Sequence, residues 1–198
     1  MKNKELKEQR IKGYYIQAAK EILVGEGIKS LSVRSVSERA GYSYTTIYNY
    51  FEDLNDLIFY CVQDFYQECS DFVNGESKGT ESGLTIIESK IMQYIKYFVN
   101  YPSVFELFFI ERVVNFGNKI QTIELITDSL KNILQKDWDQ LVAQKEMRQA
   151  DVMKVQHRLQ LTVTGLLLFY IHRRTPAEYG EFMRTAKQEI DAIIFPES

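Results

Sequence analysis

Six residues in one short stretch carry the side chains best suited to chemistry in this chain: Tyr44, Thr45, Thr46, Tyr48, Asn49 and Tyr50. They are hydroxyls, phenols and one carboxamide, with no acid among them. That set suits hydrogen bonding in the DNA major groove. An Asn side chain forks onto adenine N6 and N7, and a Thr methyl meets a thymine methyl. Hydroxyls and phenols also reach phosphate oxygens. The alternative is a solvated polar helix in an all-α protein, the commoner fate of such a face. Three tyrosines (44, 48 and 50) beside only two core positions argue against it.

The elements that must hold these residues are legible in the flanking pattern. Val33, Val36 and Ala40 share one face of a helix that Ser32 caps. Gly41 stands where a helix end turns left-handed, a conformation glycine adopts without steric cost. Ser43 caps an eight-residue second helix, and Tyr42 is positioned to staple onto Ile47. Ile47 and Phe51 form its buried edge. At about 100° per residue, Thr45 and Asn49 point away from the core, Thr46 and Tyr48 flank them, and Tyr44 lies near the core direction. Asp53 caps a third, long helix running to about Val73. The arrangement is a helix-turn-helix.

Charge supports a local rather than a global partner for this stretch. The 198 residues carry a net charge of −3. Residues 1–50 hold nine Lys/Arg against five Asp/Glu, a balance of +4, which leaves −7 for residues 51–198. A basic head on an acidic body fits a DNA footprint; chance asymmetry is the alternative. Five of the cations (Lys2, Lys4, Lys7, Arg10, Lys12) lie in the first twelve residues, as a frayed arm or as the solvated start of a helix.

Other chemistries find little support. There is no Gly-rich phosphate loop, nucleophile elbow or Cys-x-x-Cys. His157 and His172 are the only histidines, so a metal site would need scattered carboxylates. Neither an enzyme, a cofactor nor a metal is expected. Cys61 and Cys69 lie about 12 Å apart along one helix. A disulfide needs Cα atoms within roughly 7 Å, so buried thiols are expected, with a thiol sensor as the alternative. The longest unbroken apolar run, Leu166–Ile171, is too short to span a bilayer, and no signal core opens the chain. A cytoplasmic location without membrane attachment is expected.

Along the chain, Ile11, Tyr15, Ala18 and Ile22 give the first helical stripe. The glycine-bearing segment Asn74–Gly83 reads as a loop. Thr85-x-x-Glu88 and Ser103-x-x-Glu106 read as capping boxes, the second opening a short apolar helix to Val114 before Gly117. Ile120 to Leu141 reads as one long stripe. Leu159, Val163, Leu166, Phe169 and Tyr170 form another, ended by Arg173 and Arg174. Thr175-Pro-Ala-Glu178 reads as the cap and first turn of the last helix, lined by Phe182, Met183, Ala186, Ile190 and Ile193. Nine helices and no strand result.

The run Val33-x-x-Val36, Ala40-Gly41, Ser43-x-x-Thr46-Ile47-Tyr48-x-Tyr50-Phe51 and Asp53-Leu54-x-x-Leu57 resembles the DNA-binding domain of the tetracycline-repressor (TetR) family. The likeness covers about Ile11 to Leu57. It implies phosphate or base contacts at Ser32, Ser43, Thr46, Tyr48 and Tyr50, joined by the residue-level candidates Tyr42, Tyr44, Thr45 and Asn49. Tyr44 stands where that family often has Lys or Arg, Leu54 where it often has Lys, and Ser37 replaces a small apolar residue. Positive potential must then come from elsewhere.

The resemblance further implies an all-α fold, with a DNA-binding domain over residues 1–52 and a ligand-binding and dimerisation domain over 53–198. The partners it implies are a palindromic operator, a second copy and a small-molecule effector. The effector candidates are Phe59, Phe65, Tyr66, Tyr94, Phe98, Phe105, Phe109, Trp138 and Tyr170, most of which must also serve as core. In that family the last two helices pair with a second copy as a four-helix bundle, which nominates Leu159, Leu166, Phe169, Phe182 and Ile190. The expected function is a homodimeric repressor released by a small, largely apolar effector. The alternative is a dimer gated by a protein partner, or constitutive.

Overall fold

In a computed structural model of the chain, residues 2–75, 83–111 and 120–196 are described, and no strand occurs among them. The fold is all-α. Most of the expected Asn74–Gly83 loop lies outside the described residues, as do the helix end at Val114 and the break at Gly117. The described chain divides into two units, Met1–Gln67 with Ser103–Thr127, and Glu68–Pro102 with Asp128–Ser198.

The first unit begins with α1 (Lys2–Gly25), so the basic N-terminal run is the start of a helix and not a frayed arm. Tyr15, Ala18, Ala19, Ile22 and Leu23 form its buried face. Helix α2 (Val33–Ala40) packs against it. The opening half of α3 (Leu54–Gly75) contributes Leu57, Ile58, Cys61, Val62 and Phe65 to this core. The Cys61 thiol donates to the Ile16 carbonyl at 3.8 Å, and burial raises its pKa far above the ordinary thiol range. Cys61 and Cys69 are both free and buried. Helix α5 (Pro102–Phe105) runs into a π-helical turn over Glu106–Ile110, which contacts α6 (Ile120–Thr127). The Ser103 hydroxyl donates to the Val24 carbonyl at 2.8 Å. The expected Ser103 capping box is therefore replaced by a bond to α1.

In the second unit, α4 (Leu84–Asn100) packs against α7 (Ser129–Ala143), α8 (Gln149–Leu168, extended by a π-turn over Phe169–Arg173) and α9 (Tyr179–Ile194). Ile87, Ile91, Tyr94, Ile95 and Phe98 are fully buried on α4, facing a core that includes Leu134, Trp138, Leu159, Val163 and Phe182. Each such apolar side chain contributes about 1.5–3 kcal/mol by leaving water. Polar links also cross this core. Lys90 binds both Asp137 carboxylate oxygens at 2.9 and 2.7 Å, and the Tyr94 and Ser129 hydroxyls meet at 2.7 Å.

Two expected helix starts and one expected continuous stripe differ. Gly83, at φ 65°, precedes α4, so Thr85 lies inside the helix, and Glu88 instead pairs with Lys187 at 2.6 Å. The Ile120–Leu141 stripe breaks at Asp128, where the Thr-Asp-Ser run competes with helical bonding and Ser129 is held by Tyr94. Thr175 donates to the Arg173 carbonyl instead of capping. Its peptide to Pro176 is cis, and α9 opens at Tyr179.

Candidate nucleic-acid interface

The site is built by short-range caps. The Ser32 hydroxyl accepts the Ser35 N–H at 3.0 Å, and the Ser35 hydroxyl accepts the Ser32 N–H at 2.9 Å, closing a reciprocal box at the start of α2. Gly41 ends α2 in the left-handed conformation, at φ 74° and ψ 26°. The chain then turns, and the Ser43 hydroxyl accepts the Thr45 N–H at 3.2 Å. On the far side, Asp53 accepts the Asp56 N–H at 2.7 Å to open α3.

Between these caps the expected eight-residue α-helix is instead a turn followed by a 3₁₀ segment, Ile47–Asn49. Thr46, Asn49 and Tyr50 each donate a backbone N–H to the carbonyl three residues earlier. Three β-branched residues in a row (Thr45, Thr46, Ile47) disfavour a longer α-helix, since their χ1 freedom is lost against the preceding turn. The tighter winding, about 120° per residue, stacks Thr45 with Tyr48 and Thr46 with Asn49. Ile47 and Phe51 are buried beneath them. Thr45, Tyr48 and Asn49 are exposed, while Tyr42, Thr46 and Tyr50 are half-buried. Tyr44, expected near the core direction, is 66 % exposed, because it precedes the first residue packed beneath the segment.

A tyrosine cluster underlies the segment. Tyr42 stacks on Tyr14 at 6.2 Å and lies 5.6 Å from Tyr15. Tyr15 also touches Tyr50 at 6.1 Å and Phe51 edge-on at 6.2 Å. Its hydroxyl donates to the Ser43 carbonyl at 3.2 Å. Burial raises the Tyr15 phenol above its ordinary pKa, with a bond to Thr46 working the other way, so it remains a donor at neutral pH.

Several of the head's cations are engaged locally. Arg34 pairs with Glu38 at 2.8 Å, Arg39 with Glu26 at 2.6 Å, and Lys20 with Asp64 at 3.5 Å. Lys12 lies over the Tyr60 ring at 3.5 Å. Lys4, Lys7, Arg10 and Lys29 are exposed. Polar and aromatic groups therefore dominate the recognition segment itself. Leu54, where a Lys is frequent in the resembled family, is half-buried in α3.

The nominated effector residues fall into both units. In the first, Phe65 is buried beneath Lys20, Phe105 is buried 5.2 Å from Phe109, and Phe59 and Tyr66 are half-buried. In the second, Tyr94 and Phe98 meet edge-on at 4.8 Å, Trp138 is buried, and half-buried Tyr170 stacks on Phe182 at 4.0 Å. The Trp138 indole N–H has no hydrogen-bond partner and borders a crevice of about 10 Å³, room for one water.

Of the nominated dimer residues, Leu159, Phe182 and Ile190 are already buried inside their own protomer. They have no area left to give a second copy. Leu159, Val163 and Leu167 set the inward direction of α8. Leu166 lies roughly 60° from it and Phe169 roughly 120°. Leu166 is accordingly half-buried and Phe169 is 58 % exposed. The apolar residues that do face outward on α8, its π-turn and α9 are Met153, Leu161, Leu168, Phe169 and Tyr179. Sequence periodicity finds an apolar stripe on a helix, but α8 is apolar on more than one side.

Residues 16–61 match the family of bacterial regulatory proteins, tetR family. No curated protein matches the chain. Among solved structures, a Syntrophomonas wolfei protein described as a TetR-family transcriptional regulator shares 12 % identity at a TM-score of 0.73, covering 94 % of this chain and 95 % of its own. The transcriptional regulator FadR of Bacillus subtilis, solved with stearoyl-CoA, shares 14 % at 0.70, covering 93 % and 98 %. The fatty acid degradation regulator FadR of Bacillus halodurans shares 14 % at 0.65, covering 94 % and 95 %. Identities this low speak for the fold alone. No helix among the described residues is long and apolar enough to cross a membrane. Residues 16–61 thus match the tetR-family model, and the chain as a whole has the fold of solved proteins described as TetR-family regulators.

Proposed function

We propose that this protein is a homodimeric repressor that binds a palindromic operator through residues 1–52 and is released by a small, largely apolar effector held by residues 53–198. The observation that carries this reading is the recognition segment, which exposes Tyr44, Thr45, Tyr48 and Asn49 between two formed caps. Asn49 is the base reader, and Ser32, Ser43, Thr46, Tyr48 and Tyr50 address phosphates and groove edges. Tyr42 supports the segment through the tyrosine cluster. The outward apolar residues of α8 and α9 supply the dimer face.

The FadR regulator solved with stearoyl-CoA makes a long acyl thioester the first effector to try. Helix α3 is continuous from Leu54 to Gly75 and contributes to both units, so it is the element on which ligand and DNA act. A ligand shifts an equilibrium only by its differential affinity for two states. Operator DNA must then weaken effector binding by the factor by which effector weakens DNA binding.

Footprinting on the DNA upstream of the protein's own gene tests the head. Calorimetry with stearoyl-CoA, with and without that DNA, tests the release. Equal effector affinity in both would reject ligand gating. A second reading, gating by a protein partner, draws on the tight packing of Tyr94, Phe98 and Trp138.

A further inference from the structure

Helix α1 begins well before the core it serves. Residues 4–10 are exposed on every side, and Tyr15 is the first buried residue after them. About two turns therefore project past the packed part of the head. They carry Lys4, Glu5, Lys7, Glu8 and Arg10, and their one apolar residue, Leu6, is 49 % exposed. A helical stretch polar on all sides gains nothing from the protein's own core. Its charges are nevertheless sorted by face. At about 100° per residue, Lys7, Arg10 and Tyr14 fall within roughly 60° of one another, while Glu5 and Glu8 lie about 100° or more from each of them.

That cationic stripe leads to the recognition segment. Tyr14 stacks on Tyr42 at 6.2 Å, and Tyr42 opens the turn to Ser43 and Tyr44. Arg10 and Lys7 follow about 6 and 10.5 Å farther along α1. Neither pairs with an acid among the described residues, whereas Arg34, Arg39 and Lys20 are held by Glu38, Glu26 and Asp64. From Tyr42 to Phe51 the segment has no charged side chain at all. Hydroxyls fix register on a duplex, but it is Lys and Arg that neutralise phosphates and release their counterions. We propose that Lys7 and Arg10 grip the operator's phosphate backbone beside the recognition segment and supply the sequence-independent charge that the segment lacks. This rests on the reading of residues 1–52 as the DNA-binding head. A basic helix face also suits an anionic membrane surface, but the continuity of the stripe with Tyr42 favours DNA.

The test compares the full-length protein with two variants of equal net charge. One carries Lys7→Gln and Arg10→Gln; the other carries Lys131→Gln and Lys136→Gln, both exposed on α7. Each is titrated over a range of salt with the footprinted operator, with a random duplex and with phosphatidylglycerol vesicles. A phosphate contact adds about 0.9 to the slope of log affinity against log salt, so the α1 variant should lower it by about 1.8 per bound protomer. Its loss at low salt should be the same on operator and random duplex. Its circular dichroism should match the wild type, since both side chains are exposed. The α7 variant should leave the slope unchanged. An equal fall in both variants reports net charge alone and overturns the contact. A loss confined to operator makes these residues base readers and overturns the backbone role. An unchanged slope overturns the proposal and leaves the head's DNA reading standing, whereas a wild type that binds neither duplex overturns both. Vesicle binding lost in the α1 variant, with the slope unchanged, assigns the stripe to a membrane and overturns the operator contact.

Discussion

Tyr15 on α1 donates its phenolic hydrogen to the carbonyl of Ser43, 28 residues later, at 3.2 Å. This bond ties the cap of the recognition segment to the first helix across the head's core. Tyr15→Phe keeps the ring contacts and leaves the Ser43 carbonyl without its donor. It should cost about 0.5–1.5 kcal/mol in urea unfolding and loosen the segment more than the rest of the chain, which amide exchange reads residue by residue.

The same phenol makes a prediction about pH. Its folded pKa is raised above the ordinary value of 10.0, so the folded state holds the proton more tightly than the unfolded chain. Its contribution is fully present below pH 10 and is lost as pH rises toward the folded value. Tyr97 is raised in the same direction, mainly by burial. Thermal stability should therefore fall above pH 10, and Tyr15→Phe should flatten part of that fall.

Base reading is assigned to one residue of the exposed set. Asn49→Ala should lose about 1–3 kcal/mol at a single operator position, whereas Tyr48→Phe should weaken all sequences alike. Equal, sequence-independent losses in a binding assay over single-base operator variants would remove Asn49 from the role.

Lys90 and Asp137 form a nearly dry ion pair, their side chains 11 % and 13 % exposed. Removing one partner strands the other's charge. Lys90→Met should cost about 3–5 kcal/mol, and adding Asp137→Leu should recover most of it. Chemical denaturation of the two variants and the wild type checks this, and a double variant no better than the single one would contradict it.

Assembly is expected through the outward side of α8. Leu161→Asp with Phe169→Asp should yield folded monomers with weak operator binding, read by sedimentation. The wild-type interface should exceed about 1,200 Å² and set two heads one helical turn apart, or a multiple of that. Leu159→Asp, by contrast, should unfold the protomer, since Leu159 is buried within it.

What the sequence alone determined is what residues decide among near neighbours. The all-α fold follows from periodicity. The caps at Ser32, Ser43 and Asp53 and the left-handed Gly41 are bonds or dihedrals completed within four residues, so spacing is enough to read them. Tertiary structure decided wherever a local option met a distant competitor. Ser103 has the spacing of a cap but its hydroxyl goes to Val24, and Glu88 goes to Lys187. Lys90 looks like a solvated charge on an apolar helix until Asp137, 47 residues away, completes it. Periodicity proposes several faces of α8, and only packing selects Leu159, Val163 and Leu167 as the inward one.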